Sequence, residues 1–226
     1  FLVLFQQSLQ NSLVTSFIGA IRNQSAPVLV YSTDGLRTLQ ASAITPELEE
    51  LVLSVDEVDS AGRIGQQSFT VETADGELVE AVIIGYEIEG LGSPAELTEG
   101  RLPSAAGEVV ASAADADDGF AVGDTVDVLP GGETLEVVGL AAESQLSASP
   151  TLFLQYDTYL DAVAAGNPDA GEPPPNALGV TPAGDVDAGQ LAELINEESE
   201  DLDALTRTEA AELTPGVTQV EQSFRI

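Results

Sequence analysis

Three stretches of sequence indicate the fold class of this chain: EGRLPSAAGEVVAS at residues 99–112, GFAVGDTV at 119–126 and LEVVGL at 135–140. In each piece, runs of Val and Leu alternate with Gly, a pattern typical of short strands joined by tight turns. The second and third pieces lie on either side of Pro130-Gly131-Gly132, where glycine tolerates the backbone angles of a reversal. The region therefore predicts a small all-β unit.

Eight residues of this region have the chemistry of turns and strand ends rather than of a reactive site. Glycine lacks a Cβ and adopts the positive φ angles of tight turns at little steric cost. Gly123-Asp124 fits such a turn ahead of a strand, and Glu108 opens a strand. We therefore predict a scaffold role, with no catalytic, cofactor-binding or metal-binding function, for the following set: Gly100, Arg101, Pro103, Gly107, Glu108, Gly123, Asp124 and Gly139.

Strand and helix patterns alternate upstream of the β unit. Residues 27–32 form a short apolar run typical of a buried strand. Thr45 and Pro46 have the chemistry of a helix cap and of a first helical residue. Alternating apolar residues on both sides of Asp75-Gly76, a dipeptide that supplies positive φ angles, predict a hairpin.

The alternation resumes downstream of the β unit. A helix is predicted at 156–164, and Asp187 caps another, with Gln190 placed to complete a capping box. The predicted strands are residues 151–155, 177–181 and 204–206. A loop rich in Pro and Gly covers residues 165–176.

Two αβ segments that bracket an all-β unit predict an α+β fold with one discontinuous αβ lobe. The lobe comprises residues 25–95 and 149–213, and the inserted β lobe comprises residues 96–148. Helical segments are predicted at both ends, 1–24 and 214–226.

The evidence for the end helices is apolar spacing. At the first end, large apolar residues recur every three or four positions, as on one stripe of a helix: Leu2, Phe5, Leu9, Leu13, Phe17 and Ile21. At the second end, Thr214 caps and Pro215 starts a helix that places Val217, Val220 and Phe224 on one face.

Charge argues against nucleic acid as a partner. The chain carries 39 acids against six bases, a formal net charge of -33. A phosphate backbone is bound by clustered basic side chains, whereas the bases here are scattered arginines: Arg22, Arg37, Arg63, Arg101, Arg207 and Arg225. The acids lie between apolar periodic segments, which favours a solvated acidic surface over disorder. A salty habitat and a cationic partner are alternative interpretations of the charge.

The composition also argues against catalysis. His, Cys and Lys are absent, which removes the common general bases and the thiol and amine nucleophiles. Without Cys there is neither a disulfide framework nor a thiolate zinc site, and without Lys there is no phosphate-binding P-loop. A glycosidase could use paired carboxylates, but the chain has no Trp on which a sugar would stack. We predict no enzymatic activity and no cofactor.

Three motifs have both a functional and a structural interpretation. Residues 115–119, Asp-Ala-Asp-Asp-Gly, resemble a calcium loop, but Gly stands fifth instead of sixth and no Glu follows at the required distance, so a solvated turn is favoured. Asp56-Glu57 with Asp59 could bind a loose cation or be a solvated helix end. Asn23-Gln24-Ser25 fits the glycosylation sequon, a motif with many chance matches.

The order of the motifs resembles that of the MacB-like periplasmic core domain of FtsX- and MacB-type ABC transporter permeases. That family has the order G-R-x-P, G-E-V-V, G-x-x-V-G-D and V-V-G, which residues 100–103, 107–110, 119–124 and 137–139 match. Residues 31–42 are similar to the opening of the same domain in DevC-like permeases. The resemblance covers nearly the whole chain and is strongest across residues 99–140.

The resemblance implies an extracytoplasmic domain that lies between the first two transmembrane helices of a cell-membrane permease. Residues 1–5 would end the first of these helices and residues 224–226 would approach the second. The αβ lobe would be porter-like and the β lobe sabre-like. ATPase activity would lie on a separate cytoplasmic subunit or domain, and the partners would be that subunit, a second permease copy, and an exported substrate or an outer partner protein.

The function implied by the resemblance is mechanotransmission, in which ATP-driven motion crosses the membrane to export or release a substrate. The end helices support it, because rigid helices carry displacement and flexible linkers do not. The alternative is a secreted domain that binds a small ligand or a carbohydrate between two lobes. Apolar segments of about 20 residues flanking the native chain would favour the permease, and a cleaved signal peptide would favour the alternative.

Overall fold

The computed structural model describes residues 2–131 and 133–217, with side chains from residue 8 onward. The helices in this part are α1 (Leu2–Arg22), α2 (Pro46–Leu53), α3 (Tyr156–Gly166), α4 (Ala188–Glu198) and α5 (Arg207–Glu212). The strands are β1 (Val28–Ser32), β2 (Val58–Thr73), β3 (Leu78–Tyr86), β4 (Leu97–Gly100), β5 (Glu108–Ser112), β6 (Thr125–Leu129), β7 (Glu133–Ala141), β8 (Thr151–Gln155), β9 (Ala177–Pro182) and β10 (Leu202–Thr206). The α+β class is confirmed.

All these strands belong to one mixed sheet, in the order β10-β1-β9-β2-β3-β8-β5-β7-β4, with β6 paired to β2 and β7. The pairs β3–β8 and β5–β7 are parallel, and the other pairs are antiparallel. The predicted αβ and β regions meet within this sheet, because β5 pairs with β8 and β6 pairs with β2. The division into two lobes at residues 96 and 148 stays a prediction.

The long strand β2 connects the two regions of the sheet. Its first half, residues 58–64, pairs with β9; residues 64–72 pair with β3; and its last four residues also pair with β6. The hairpin from β2 to β3 is confirmed, although only Gly76 of the predicted Asp75-Gly76 pair has a positive φ angle, of 79°.

Strand β1 shows why an unbroken apolar run predicted a buried strand. All five of its residues are buried. Val28 and Val30 pack in a core with side chains of α2 and α4, whereas Leu29 and Tyr31 pack in a second core with side chains of α1 and α5. Because both faces of the strand are covered, no polar alternation is needed.

The helix caps follow the sequence pattern. The Thr45 hydroxyl accepts a hydrogen bond from the Leu48 N–H, and the Asp187 carboxylate accepts one from the Gln190 N–H at 2.9 Å. These bonds satisfy N–H groups that the first turn of a helix leaves without a partner. The reciprocal capping box that was predicted at Asp187 forms instead at the start of α5, between Thr206 and Glu209.

The predicted apolar stripe of α1 only partly coincides with its buried face. Leu9, Leu13 and Phe17 are 44%, 38% and 42% exposed, whereas the buried positions are Val14, Ile18, Ala20 and Ile21. The face toward the protein is therefore rotated from the predicted stripe, because α5 and the sheet contact α1 near its C-terminal end. The side chain of Phe5 lies outside the described residues.

The cap predicted for the last helix does not form at Thr214, and the first helical residue after it is Val217; the remainder of that predicted helix lies outside the described residues. Residues 214–216 form a turn, and the Thr214 hydroxyl donates backward to the Ala210 carbonyl at 2.7 Å instead of capping a following helix. The missed helix α5 precedes this turn. The predicted face residues Val220 and Phe224 lie outside the described residues.

Candidate functional site

The C-terminal half of α1 is built into the protein body at a junction with α5, which we call the helix junction. Val14 and Ile18 of α1 share a buried core with Ala210 and Ala211 of α5 and with Val217. The Arg207 guanidinium donates to the Gln24 carbonyl at 3.1 Å, just beyond the end of α1. α1 and α5, the first and last helices named above, are therefore packed together.

The loop at residues 143–148 also forms hydrogen bonds with α1, and we call it the clamp loop. The N–H groups of Ser147 and Ala148 donate to the carbonyls of Phe17 and Ser16, at 3.0 and 2.8 Å. In the opposite direction, the Ala20 N–H donates to the Gln145 carbonyl at 3.0 Å. Backbone groups inside a helix thus bond to a loop that lies more than 120 residues away in sequence.

Gly19 permits this close approach. A Cβ at this position would overlap the Glu143 carbonyl oxygen and lie 3.2 Å from the Gln145 carbonyl oxygen. Any other residue would push the clamp loop away from the helix, because both nearest groups are backbone. A helix-interior glycine, which costs about 1 kcal/mol relative to alanine, thereby acquires a structural reason.

The clamp loop has a strained backbone. Glu143, Ser147 and Ala148 have φ angles of 44°, 56° and 55°, in the left-handed region that non-glycine residues avoid. Each such residue costs about 1–3 kcal/mol and persists only where surrounding contacts impose it. The hydrogen bonds to α1 are contacts of that kind.

The other side of the clamp loop is fixed to the sheet. The Leu146 N–H donates to the Thr151 hydroxyl at 2.8 Å, at the start of β8. The Gln145 amide donates to Asp115 Oδ1 at 2.6 Å. Asp115 is 4% exposed, and burial raises the pKa of its carboxyl. The loop therefore connects α1 to β8 and to the 3₁₀ turn at Ala113–Asp118.

A second anchor holds the chain just after α1. Ser25 donates through both its N–H and its hydroxyl to the Ser93 carbonyl, each at 2.9 Å. The Ala95 N–H donates to the Asn23 carbonyl at 2.9 Å. α1 is therefore connected to the rest of the protein through the clamp loop, through residues 93–95 and through α5.

Residues of the three ambiguous motifs make hydrogen bonds within the protein. Asp115 of the calcium-like motif bonds to Gln145, and the part of the chain that the structure describes contains no group of three acids that could hold a metal ion. The backbone carbonyl of Glu57, in the acidic run, accepts a hydrogen bond from the Ala183 N–H. The Asn23 amide of the sequon donates to the Glu143 carbonyl at 2.8 Å, so modification of this nitrogen would break a contact of the clamp loop.

Two of the eight residues predicted to have a scaffold role, which we call the signature residues, form an ion pair at the start of β5. The Arg101 guanidinium binds both carboxylate oxygens of Glu108, one of them at 2.7 Å. Glu108 Oε2 also accepts from the Ser104 and Ala105 N–H groups, at 2.7 and 3.1 Å. These bonds fix the turn around the buried Pro103, which supports the scaffold role that the sequence predicts.

The signature glycines divide into two kinds. Gly100 and Gly139 face one another where β4 pairs with β7, and a Cβ on Gly139 would lie 2.5 Å from the Arg101 carbonyl oxygen. Gly107 and Gly123 have positive φ angles in open turns, and Asp124 accepts from the Ala121 N–H at 2.9 Å. The eight residues thus shape β4–β7 and do not converge on one pocket, and their scaffold role stays a prediction.

We expect Glu108→Gln to lower the thermal unfolding midpoint by a few degrees at pH 7, because it removes the charge that Arg101 binds. The Arg101 side chain holds the pKa of Glu108 well below its ordinary value of 4.5. Its contribution to stability is present above pH 4.5 and is lost as the pH falls toward the folded-state pKa. Thermal unfolding from pH 7 to pH 3 should show the two proteins converging in acid. Glu80→Gln, on an exposed strand position, is the control, and a constant difference down to pH 3 would contradict the assignment.

The sequence of residues 1–198 matches the family model of the MacB-like periplasmic core domain. The chain belongs to this family. A MacB-like periplasmic core domain is a periplasmic or extracellular part of an ABC transporter permease and is not itself an enzyme. The resemblance noted in the order of the sequence motifs is thereby confirmed.

Two solved structures share the fold. The periplasmic region of MacB from Actinobacillus actinomycetemcomitans aligns over 90% of this chain and 94% of its own, with a TM-score of 0.56 and 16% identity. The extracellular domain of the noncanonic ABC-type transporter YknZ from Gram-positive bacteria aligns over 79% of this chain and 99% of its own, with a TM-score of 0.51 and 15% identity. Among curated proteins, none matches the sequence.

No helix within residues 2–131 and 133–217 combines the length and the hydropathy of a membrane span.

The clamp loop was not predicted from the sequence, although the MacB-like motifs end only a few residues before it. Its sequence, Glu-Ser-Gln-Leu-Ser-Ala, contains no glycine to mark its left-handed residues. The one available signal was Gly19, a glycine inside an otherwise regular helical pattern.

Proposed function

We propose that this domain transmits motion across the membrane within an ABC transporter permease. ATP hydrolysis on a cytoplasmic subunit or domain moves the membrane helices, and α1 carries the displacement to the sheet. The domain then changes its position on the outer side, where it propels or releases a substrate or acts on an outer partner protein. A second permease copy works beside it.

The attachment of α1 to the clamp loop is the observation that carries this proposal. Three backbone hydrogen bonds join α1 to the clamp loop, and the clamp loop is bonded in turn to β8 and to Asp115. The Ser25–Ser93 bonds add a second connection. Displacement of α1 is thereby passed through bonded and packed elements, which a flexible tether could not do.

A flexible insertion in α1 tests the transmission. We expect insertion of Gly-Gly-Ser-Gly after Asn11, in the full permease with its ATPase in a lipid bilayer, to abolish export while ATP hydrolysis continues. Asn11 precedes the helix junction, so the domain itself stays folded, as circular dichroism of the variant would verify. The same insertion after Asp169, in the exposed loop before β9, is the control.

The two insertions must differ for the proposal to stand. Export that survives the insertion after Asn11 would show that the domain does not need a rigid α1. Equal loss of export from both insertions would point to general damage and would also count against α1 as the transmitting element.

A further inference from the structure

Strain in the described part of the chain concentrates where α1 meets the body. Non-glycine residues with left-handed φ angles occur in two places, and three of the five lie in the clamp loop: Leu36, Arg37, Glu143, Ser147 and Ala148. Strain of this kind is retained where it serves a function or where contacts impose it. Here the contacts are those with α1, so separating the loop from the helix would let the loop relax.

The helix loses little if the clamp loop departs. The Ser16 carbonyl and the Ala20 N–H stand four residues apart, and such groups pair with each other in a regular α-helix. In the structure the Ala148 N–H donates to the first group and the Gln145 carbonyl accepts from the second. Both groups have a partner within α1 in a regular helix, so release of the loop leaves neither of them without one.

The clamp loop has its own attachments to the sheet, independent of α1. Leu146 is held by Thr151 and Gln145 by Asp115. The loop can therefore remain with the body while the helix moves. The strained backbone, the alternative partners within α1 and the separate attachment to the sheet are the properties that an element with an engaged and a released arrangement requires.

We infer that residues 143–148 are a releasable latch, whose backbone strain favours release and whose hydrogen bonds to Ser16, Phe17 and Ala20 oppose it. In the engaged state α1 and the sheet move as one body. In the released state α1 returns relative to the sheet, so that each round of export requires both states. This inference rests on the proposed function and assigns the moving contact within it.

Relieving the strain tests the latch in the isolated chain. Glycine adopts left-handed angles without the penalty that serine and alanine carry. The double variant Ser147→Gly/Ala148→Gly should therefore hold the latch engaged. The N–H of residue 148 loses its partner, the Ser16 carbonyl, on release, so its exchange relative to the intrinsic rate should slow by about fivefold in the double variant. Ala74→Gly, in an exposed turn with an ordinary φ angle, is the control and should leave exchange at residue 148 unchanged. Unchanged or faster relative exchange at residue 148 in the double variant would overturn the inference.

A disulfide lock tests the latch in the full permease. Ile18 and Leu146 form an antiparallel bridge pair, a geometry that a disulfide can span, and the domain has no native cysteine. Oxidised Ile18→Cys/Leu146→Cys should stop ATP-driven export, and a reductant should restore it. Thr70→Cys/Glu80→Cys, a β2–β3 pair within the sheet, is the matched control and should not affect export.

The lock and the helix insertion separate the two ideas. Export that continues with the lock closed, but stops on insertion after Asn11, would refute the latch and leave transmission by α1 standing. Export that is insensitive to both changes would refute transmission itself.

Discussion

A Gly19→Ala variant should have a free energy of unfolding about 2–3 kcal/mol below that of the wild type, because the added methyl group overlaps the Glu143 carbonyl oxygen. The overlap is with backbone, so no side-chain rotation relieves it. The clamp loop must move away from α1 and lose its bonds to Ser16, Phe17 and Ala20. Denaturant unfolding followed by circular dichroism measures the loss.

The matched control is Gly166→Ala at the end of α3. This glycine also lies in a helix, has an ordinary φ angle, and has only Phe69 at 4.0 Å from the position of an added Cβ. Alanine is favoured over glycine in helices, so the control should keep its stability or gain up to about 1 kcal/mol. If both variants change stability in the same direction and by similar amounts, Gly19 has no special role at the contact between α1 and the clamp loop.

A Gly100→Ala variant should lose about 3 kcal/mol of unfolding free energy, from two causes that add. Its φ angle is 73°, and an alanine in the left-handed region costs about 1–2 kcal/mol. Its Cβ would also overlap the Val138 carbonyl oxygen of β7, which adds about 1–3 kcal/mol. Chemical denaturation of the purified domain measures the total.

Gly107→Ala separates the two causes. Gly107 has nearly the same φ angle, 77°, but the nearest atom to its Cβ position is the Thr134 carbonyl oxygen at 3.6 Å. Only the conformational cost of about 1–2 kcal/mol should remain. Equal losses for the two variants would show that the contact between β4 and β7 is not the reason for a glycine at position 100.

Local chemistry made much of the fold predictable. Strand β1 follows from five consecutive residues buried on both faces, and α2 follows from Thr45 and Pro46 at its start. Strand β2 was predicted only from Phe69 onward, because its first half contains Ser60, Gly62 and Arg63 and does not alternate. That half is a strand because β9 pairs with it across more than 110 residues.

Strand β4 and the clamp loop could not be predicted from the sequence, for a related reason. Strand β4 is a short, mostly exposed edge strand whose last residues read as a turn, and only its pairing with β7 makes it a strand. The left-handed angles of Ser147 and Ala148 arise from contacts with α1, and no local pattern encodes them. The motif order at residues 99–140 identified the family, because glycines at the turns of that region are visible in the local sequence.

We propose that ATP hydrolysis moves this domain relative to the membrane. Energy transfer between a dye at Asp75→Cys, on the exposed β2–β3 turn, and acceptor lipids measures the distance between the domain and the bilayer in the full permease with its ATPase. That distance should change on ATP binding and return to its starting value after hydrolysis. With a hydrolysis-deficient ATPase, it should change once and then remain at the new value. A constant distance while ATP is hydrolysed and substrate is exported would show that the domain does not move with the ATPase cycle.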